Sequence, residues 1–221
     1  MDVIEFREVL GDLNTVMVRD IDSMFRAASR KGISSAEFWR LIVQAYPEIV
    51  APHMSAAGEL AAFYYDSQAP ELTFRAAPAP LPATAQLQAS ARWALKSPAA
   101  VDLLSGSAQR VLFGQARETV SLSAGRERGA TWARYASFTA CPFCRMNATR
   151  GDVYRSEDTA DMQFHDNCRC MAVPVRPGGK YEPPAYVEQW EDEYKAARAA
   201  ADSGDPNAIL SAWRRNLSEA A

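Results

Sequence analysis

All four cysteines of the chain, and one of its two histidines, fall within residues 141–170, which read CPFCRMNATRGDVYRSEDTADMQFHDNCRC. Two compact groups of thiol and imidazole side chains at such a spacing suit a tetrahedral Zn²⁺ ion, which takes sulfur at about 2.3 Å and nitrogen at about 2.0 Å. We therefore predict a structural zinc site, whose candidate ligands are Cys141, Cys144, His165, Cys168 and Cys170. Since four ligands complete a tetrahedron, we expect one of Cys168 and Cys170 to lie outside the coordination sphere.

Two other kinds of thiol chemistry remain open. The segment Cys141-Pro-Phe-Cys144 resembles a redox dithiol. That motif normally begins a helix after a strand of a βαβ unit, and it would leave the downstream ligands unexplained. A nucleophilic Cys141 with His165 as its base is chemically possible and would make the protein a protease.

Established catalytic motifs are missing from the sequence. Zinc deaminases place H-x-E before P-C-x-x-C, whereas here the order is reversed and position 167 is Asn. The H-E-x-x-H motif of zinc proteases and a glycine-rich phosphate loop are also absent. A Ser-His-Asp triad would have only His53 and His165 to choose from, and we expect His53 to have a packing role. Nothing in the sequence requires an enzyme.

Composition restricts the partners. The chain has 221 residues, 48% of them hydrophobic, and a net charge of −3. No apolar run approaches the roughly 18 residues of a membrane span, and no secretory signal is recognisable, so we expect a protein made in the cytoplasm with reduced thiols. The net negative charge of the chain does not favour binding to nucleic acid. A DNA contact would depend on a local excess of basic residues that includes Arg126, Arg128, Arg134 and Arg150.

The first 120 residues read as helical, apart from a proline-rich linker. Apolar residues from Phe6 to Met24 recur at three- and four-residue steps, which predicts a helix over residues 1–30. Ser34 and Glu37 fit a capping box, and we expect the helix that they open to end near Tyr46, before Pro47. A third helix is predicted to end at Asp66; two more are predicted at Thr84–Leu95 and from Ser97-Pro98 to about Ser123.

The remaining residues predict an α+β protein, mostly helical, with a small zinc-stapled β subdomain. The strand candidates are Thr131–Phe138, Val153–Tyr154 and Met171–Val175, and two C-terminal helices are expected, the first with Val187, Trp190 and Tyr194 along one stripe and the last from Asn207 to Leu217. The predicted organisation is a helical region over 1–68, a Pro/Ala-rich linker over 69–83, a helical region over 84–124, the zinc-knuckle β subdomain over 125–180 and a helical tail over 181–221.

The cysteine segment resembles one group of phage proteins. Its C-x-F-C turn, A-x-R-G-x-V-Y stretch and H-x-x-C-x-C-x-x-x-P-V strand are similar to those of MuF-like minor head proteins of tailed actinobacteriophages, which are often labelled capsid maturation proteases. The resemblance implies a structural component of the virion, present in multiple copies. It would be located in the capsid interior or at the portal vertex, with the portal protein, the major capsid protein and the packaged DNA as candidate partners. No catalytic residue carries over, which leaves the protease and the DNA-contacting module as alternatives.

Overall fold

The computed structural model describes residues 1–30, 32–155 and 168–219. It is mostly helical with one two-stranded sheet, which confirms the predicted α+β class. The elements are α1 (Val3–Ser29), α2 (Ser35–Ser67), α3 (Thr84–Ala94), α4 (Ala100–Arg126), β1 (Thr131–Tyr135), α5 (Pro142–Ala148), β2 (Met171–Val175), α6 (Tyr186–Ala201) and α7 (Pro206–Glu219).

Helix α1 follows its predicted apolar stripe. The Asp2 side chain accepts hydrogen bonds from the backbone of the first turn, and the Glu5 carboxylate accepts one from the Asp2 backbone, so orphan amides at the N-terminus are satisfied. The stripe residues Phe6, Leu10, Met17 and Ile21 are fully buried. Helices α1 and α2 form a long hairpin, with the Phe6 ring stacked 4.3 Å from that of Tyr64.

Helix α2 corrects the prediction that Pro47 ends a helix. The Ser34–Glu37 capping box is present, but a single helix then continues through both Pro47 and Pro52. A proline removes one backbone donor and strains one turn, which costs about 3 kcal/mol in an isolated helix. Here Pro47 is buried and α2 packs against α1, α3 and α4, so tertiary packing outweighs the local penalty.

The proline-rich segment at residues 69–83, which we call the strap, is held against α4. The Ala79 amide donates to the Thr119 hydroxyl at 3.0 Å, and the Gln115 side-chain amide donates to the Ala79 carbonyl at 2.6 Å. These polar atoms are buried, so the strap's irregular backbone is satisfied by side chains from α4. Helix α4 itself begins at Ala100, two residues later than Pro98, and Ser97 instead accepts from the Ala99 amide.

Gly58 of α2 lets the strap approach closely. A Cβ at this position would lie 3.1 Å from the Pro78 Cβ and 3.3 Å from the Gln115 Nε2, tighter than ordinary packing. We predict that Gly58→Ala lowers the free energy of unfolding by about 1–3 kcal/mol through overpacking, although alanine is the better helix former. The matched control is Gly114→Ala in α4, where a Cβ meets nothing within 4 Å and should stabilise by up to about 1 kcal/mol. Equal effects of the two substitutions in urea denaturation would contradict this packing.

The sheet is an antiparallel pair with one extra bridge. Strand β1 pairs with β2 so that Trp132 lies opposite Pro174. The backbone of Trp132 exchanges both its hydrogen bonds with Tyr154 instead, at 2.9 and 3.3 Å. Proline has no backbone N–H, and in this register no hydrogen bond from position 174 to Trp132 is needed. Val153–Tyr154 therefore contributes a single bridge and not the predicted strand.

A buried ion pair joins the sheet to the helices. Arg176, just after β2, donates to both carboxylate oxygens of Glu127 at 2.9–3.3 Å and to three backbone carbonyls in residues 66–74. The Tyr65 hydroxyl donates to the same carboxylate at 2.7 Å. We call this group the arginine clamp. It connects α2, the strap, the end of α4 and β2 through one guanidinium.

The clamp makes stability depend on Glu127 ionisation. Burial alone would raise the pKa of Glu127, but hydrogen bonds from Arg176 and Tyr65 outweigh it and hold that pKa below its usual value. The stabilisation is therefore complete above the unfolded-state pKa and is lost as pH falls through the lower folded-state pKa.

We predict that Glu127→Gln lowers the free energy of unfolding at pH 7 by roughly 3 kcal/mol, because the buried Arg176 charge loses its counterion. The deficit should shrink as pH falls through the lowered folded-state pKa of Glu127, because the native carboxyl then also becomes neutral. Chemical denaturation across this pH range measures it, with Glu182→Gln as the exposed control. A deficit that does not change with pH would contradict the ionic role of Glu127.

A second core lies beyond the sheet. The first core comprises α1–α4 with β1 and β2, whereas the second consists of Ala136, Cys144, Met146, Ala148, Cys168, Cys170, Val187, Trp190, Ala197, Ile209, Leu210, Ala212 and Trp213. Both predicted C-terminal helices are confirmed. Arg145 of α5 pairs with Glu193 of α6 at 3.1 Å, and the Trp213 indole of α7 donates to the same carboxylate at 3.0 Å. Among the described helices, none has the length and apolarity to cross a bilayer.

Candidate metal centre

Three cysteine sulfurs converge in the second core. The Sγ atoms of Cys144, Cys168 and Cys170 all lie within 4.8 Å of one another, and all three side chains are buried. The Cys144 and Cys168 sulfurs are 3.6 Å apart, and neither forms a disulfide. A tetrahedral ion with 2.3 Å bonds to sulfur would separate its ligands by about 3.8 Å. The observed spacing therefore fits two corners of a metal–thiolate tetrahedron.

Local structure explains how the cysteines meet. Helix α5 begins directly after Cys141, with Pro142 in its first turn, where the missing N–H costs no hydrogen bond. Cys144 thus sits on the first turn of that helix. Cys168 and Cys170 directly precede β2, and alternation along an extended segment points both side chains to the same side. The antiparallel register of β1 and β2 brings this segment beside α5.

The remaining predicted ligands differ in their placement. Cys141 is half-buried, and its sulfur hydrogen-bonds with Cys144 at the edge of the group. His165 lies outside the described residues. The sulfurs of Cys168 and Cys170 both lie in the group, so the expectation that one of the two lies outside the coordination sphere stays a prediction. The described part of the chain therefore supplies three converging sulfurs and a fourth in contact with them.

The thiols share charge unevenly. Hydrogen bonds from Cys144 and Cys170, helped by the Arg117 guanidinium, lower the pKa of Cys168. Hydrogen bonds with Cys141, Cys168 and Cys170 raise the pKa of Cys144. Without a metal, these hydrogen bonds favour negative charge on Cys168 and a proton on Cys144. A bound cation would take the place of those shared protons, because metal ligands are thiolates.

Two buried arginines lie beside the sulfurs. Arg117 of α4 is 1% exposed and donates to the Cys170 carbonyl at 2.9 Å. Burial lowers the pKa of Arg117 to about 10, and the nearby Cys168 charge acts in the opposite direction, so the guanidinium stays protonated at neutral pH. Arg134 of β1 is also 1% exposed, with its guanidinium 5.6 Å from the Phe143 ring centre. Both positive charges favour thiolates at the neighbouring cysteines.

The position of Arg134 corrects the DNA-contact hypothesis. Arg126, Arg128 and Arg150 are exposed, but a side chain buried like Arg134 cannot reach a phosphate backbone. The basic residues singled out in the sequence therefore do not all lie on the surface. Arg134 instead interacts electrostatically with Cys170 and Arg117.

The cysteine group can be reached from solvent. A cavity of about 300 Å³ is lined by all four cysteines, with Arg7 and Arg169 among its other walls. Such a cavity provides an entry path for an ion, which a site buried on every side would lack.

The alternatives in thiol chemistry fit the geometry less well. Cys141–Cys144 does begin a helix after a strand, but the sheet is an antiparallel pair instead of the parallel βαβ arrangement of redox dithiols. His53 lies inside α2, where its Nδ1 is 2.8 Å from the Ile49 carbonyl and its Nε2 is 3.8 Å from the Asp20 carboxylate. These contacts agree with the packing role expected for His53.

Comparison with protein families identifies a phage-related group. The matching family is described as VG15 protein, and the match covers residues 1–197. The chain therefore belongs to the VG15 protein family. No curated protein and no solved structure matches it.

Arg117 should control the ionisation of the cysteine group. In metal-free protein, we predict that Arg117→Met raises the apparent pKa of the first thiolate by about one unit or more, because a nearby positive charge is lost. Arg117→Lys retains the positive charge and should shift this apparent pKa less. Arg128→Met removes a charge at an exposed site and should leave the apparent pKa unchanged. The thiolate absorbance near 240 nm, followed against pH, measures the shift. Coincident curves for the native protein and Arg117→Met would contradict the electrostatic role of Arg117.

Proposed function

We propose that the protein is a MuF-like minor head protein of a tailed phage, a structural zinc-binding component of the virion. In this proposal it associates with the portal or the capsid interior during head morphogenesis, and it acts as architecture and not as an enzyme. The observation that carries the proposal is the convergence of three buried cysteine sulfurs in a chain that belongs to a phage-related family.

Zinc is the metal that best suits the donor set. Soft thiolates in a tetrahedral arrangement favour zinc over magnesium or calcium, which prefer oxygen ligands. Cys144, Cys168 and Cys170 would hold the ion, with Cys141 or His165 as the fourth ligand. Three or four thiolates around Zn²⁺ leave a net charge of −1 or −2, which the adjacent Arg117 and Arg134 would balance.

The surroundings support a structural role for the ion. The cysteines belong to the second core, together with Trp190 of α6 and Trp213 of α7. This core is smaller than the first, and structural zinc supplies folding free energy on the order of 10 kcal/mol. A zinc ion at this position would hold the C-terminal helices against the sheet. The motif resemblance to MuF-like proteins lies in the same segment, and it supports a docking surface built on the zinc-bound unit.

Removing the metal should loosen one core and spare the other. We predict that chelation increases amide hydrogen exchange at least tenfold in α5, α6 and α7, while exchange in α1, α2 and α4 stays within about twofold, because the first core contains no cysteine. Cys144→Ser should reproduce the pattern without chelator. Uniform loosening, or no change, would contradict a structural ion in the second core.

Head association can be tested in cells. The chain would be co-expressed with the portal and major capsid proteins encoded by the same phage, and the purified procapsids probed for it. The proposal expects the protein in the particles, loss of incorporation with Cys144→Ser, and a capsid protein of unchanged mass. Particles that lack the protein would contradict the head role. A shortened capsid protein, restored to full length by Cys141→Ser, would identify a protease instead.

A further inference from the structure

One groove on the helical half combines positive charge with an exposed indole. It lies between the first half of α2 and α3, measures about 550 Å³, and is lined by Trp39, Arg40, Gln44, Gln88, Arg92 and Lys96, among others. The described lining residues include no carboxylate; Glu37 and Glu48 line a neighbouring groove on the other side of Arg40. Trp39 is 37% exposed, and Trp93 beside Arg92 is 55% exposed. We call this surface the basic groove.

A surface of opposite character lies on the outer face of α1. Glu5, Glu8 and Asp12 are exposed there, on the side of the helix opposite Phe6 and Leu10. Three aliphatic side chains on the same half of the helix are also exposed, namely Ile4 at 51%, Val9 at 41% and Val16 at 39%. We call this surface the acidic face. Its mixture of carboxylates and aliphatic groups complements the cations and the Trp39 indole of the basic groove.

The two surfaces lie at opposite ends of the α1–α2 hairpin. Phe25 and Phe38 contact each other near the turn, with ring centres 5.2 Å apart, and the basic groove begins at the next residue, Trp39. Phe6 and Tyr64 meet at the other end, where the acidic face lies. Phe25 lies 19 positions after Phe6, a rise of about 28 Å along the helix. The acidic face of one molecule therefore cannot reach its own groove.

We propose that the basic groove of one molecule binds the acidic face of a second copy, head to tail. Charge complementarity favours contacts between unlike surfaces, because a groove placed on a groove, or an acidic face on an acidic face, would bring like charges together. In a head-to-tail chain these contacts leave a groove free at one end and an acidic face free at the other. Such an assembly closes into a ring where the rotation between successive copies allows it, and it otherwise extends as a filament. This inference does not depend on the metal centre.

Paired charge reversals test the proposal on the full-length chain. Arg92→Glu/Lys96→Glu gives a molecule with two acidic surfaces, and Glu8→Lys/Asp12→Lys gives one with two basic surfaces. Sedimentation velocity at about 50 mM salt should show self-association of the native protein, weakened at least tenfold at 0.5 M salt. Each variant alone should remain monomeric, and the equimolar mixture should associate again, because each surface then meets its opposite.

Two control variants show whether association depends on these surfaces or on net charge alone. Arg128→Glu and Glu182→Lys alter exposed charges elsewhere and should leave association unchanged. Thermal melts confirm that the variants are folded. A native protein that stays monomeric at 100 μM and low salt would overturn the proposal, as would a mixture of variants that remains monomeric. Binding of a fluorescent DNA oligonucleotide to the monomer, abolished by Arg92→Glu/Lys96→Glu, would also overturn it by assigning the groove to nucleic acid.

Discussion

The chemistry of the cysteine group depends on the two buried positive charges beside it. Cys144, Cys168 and Cys170 meet in a buried space beside the guanidinium groups of Arg117 and Arg134. Burying positive charge is expensive unless negative charge lies close by, and thiolates are the negative groups that this site can offer. A Zn²⁺ ion would let all the thiols ionise at neutral pH and leave a small net negative charge opposite the two arginines. The sulfur geometry and the electrostatics of α4 and β1 thus favour the same occupant.

Two buried polar centres organise the chain around the small sheet. The arginine clamp fixes β2 to α2, the strap and α4, through Arg176 and Glu127. The cysteine group lies at the opposite end of β2, where it meets α5 and the C-terminal helices. A two-stranded sheet is marginally stable by itself. In this protein the sheet is stabilised by an ion pair at one end and by the cysteine group at the other. The sheet therefore connects the helical half of the chain to the C-terminal helices.

Much of the fold could be predicted from local sequence. The α1 stripe, the Ser34 capping box, β1, β2 and the last helix all follow from periodicity and end signals. The errors occurred where packing overrides a local rule. The helix α2 continues through Pro47 because that residue is buried and α2 packs against three other helices. Arg134 reads as a surface residue, yet β1 directs it beside the cysteines, and only the register of β1 with β2 reveals that.

The site was predicted in part. The C-x-x-C and C-x-C spacings identify the cysteines as one group, because short motifs have few geometries. The contribution of Arg117 could not be read from the sequence, since it lies 27 residues before Cys144 on a helix of mixed composition. Buried polar residues on α4, including Gln115 and Thr119, signal a helix that satisfies groups on other segments. Such hydrogen bonds join residues that are far apart in the sequence, and no local sequence pattern predicts them.

Zinc-edge X-ray absorption on protein purified without chelators, together with elemental analysis of the same sample, would determine whether the cysteine group holds zinc. We predict one zinc per chain, with three or four sulfur ligands at about 2.3 Å and any remaining position filled by one nitrogen. Protein that is fully folded without zinc, or zinc coordinated mainly by oxygen, would contradict it.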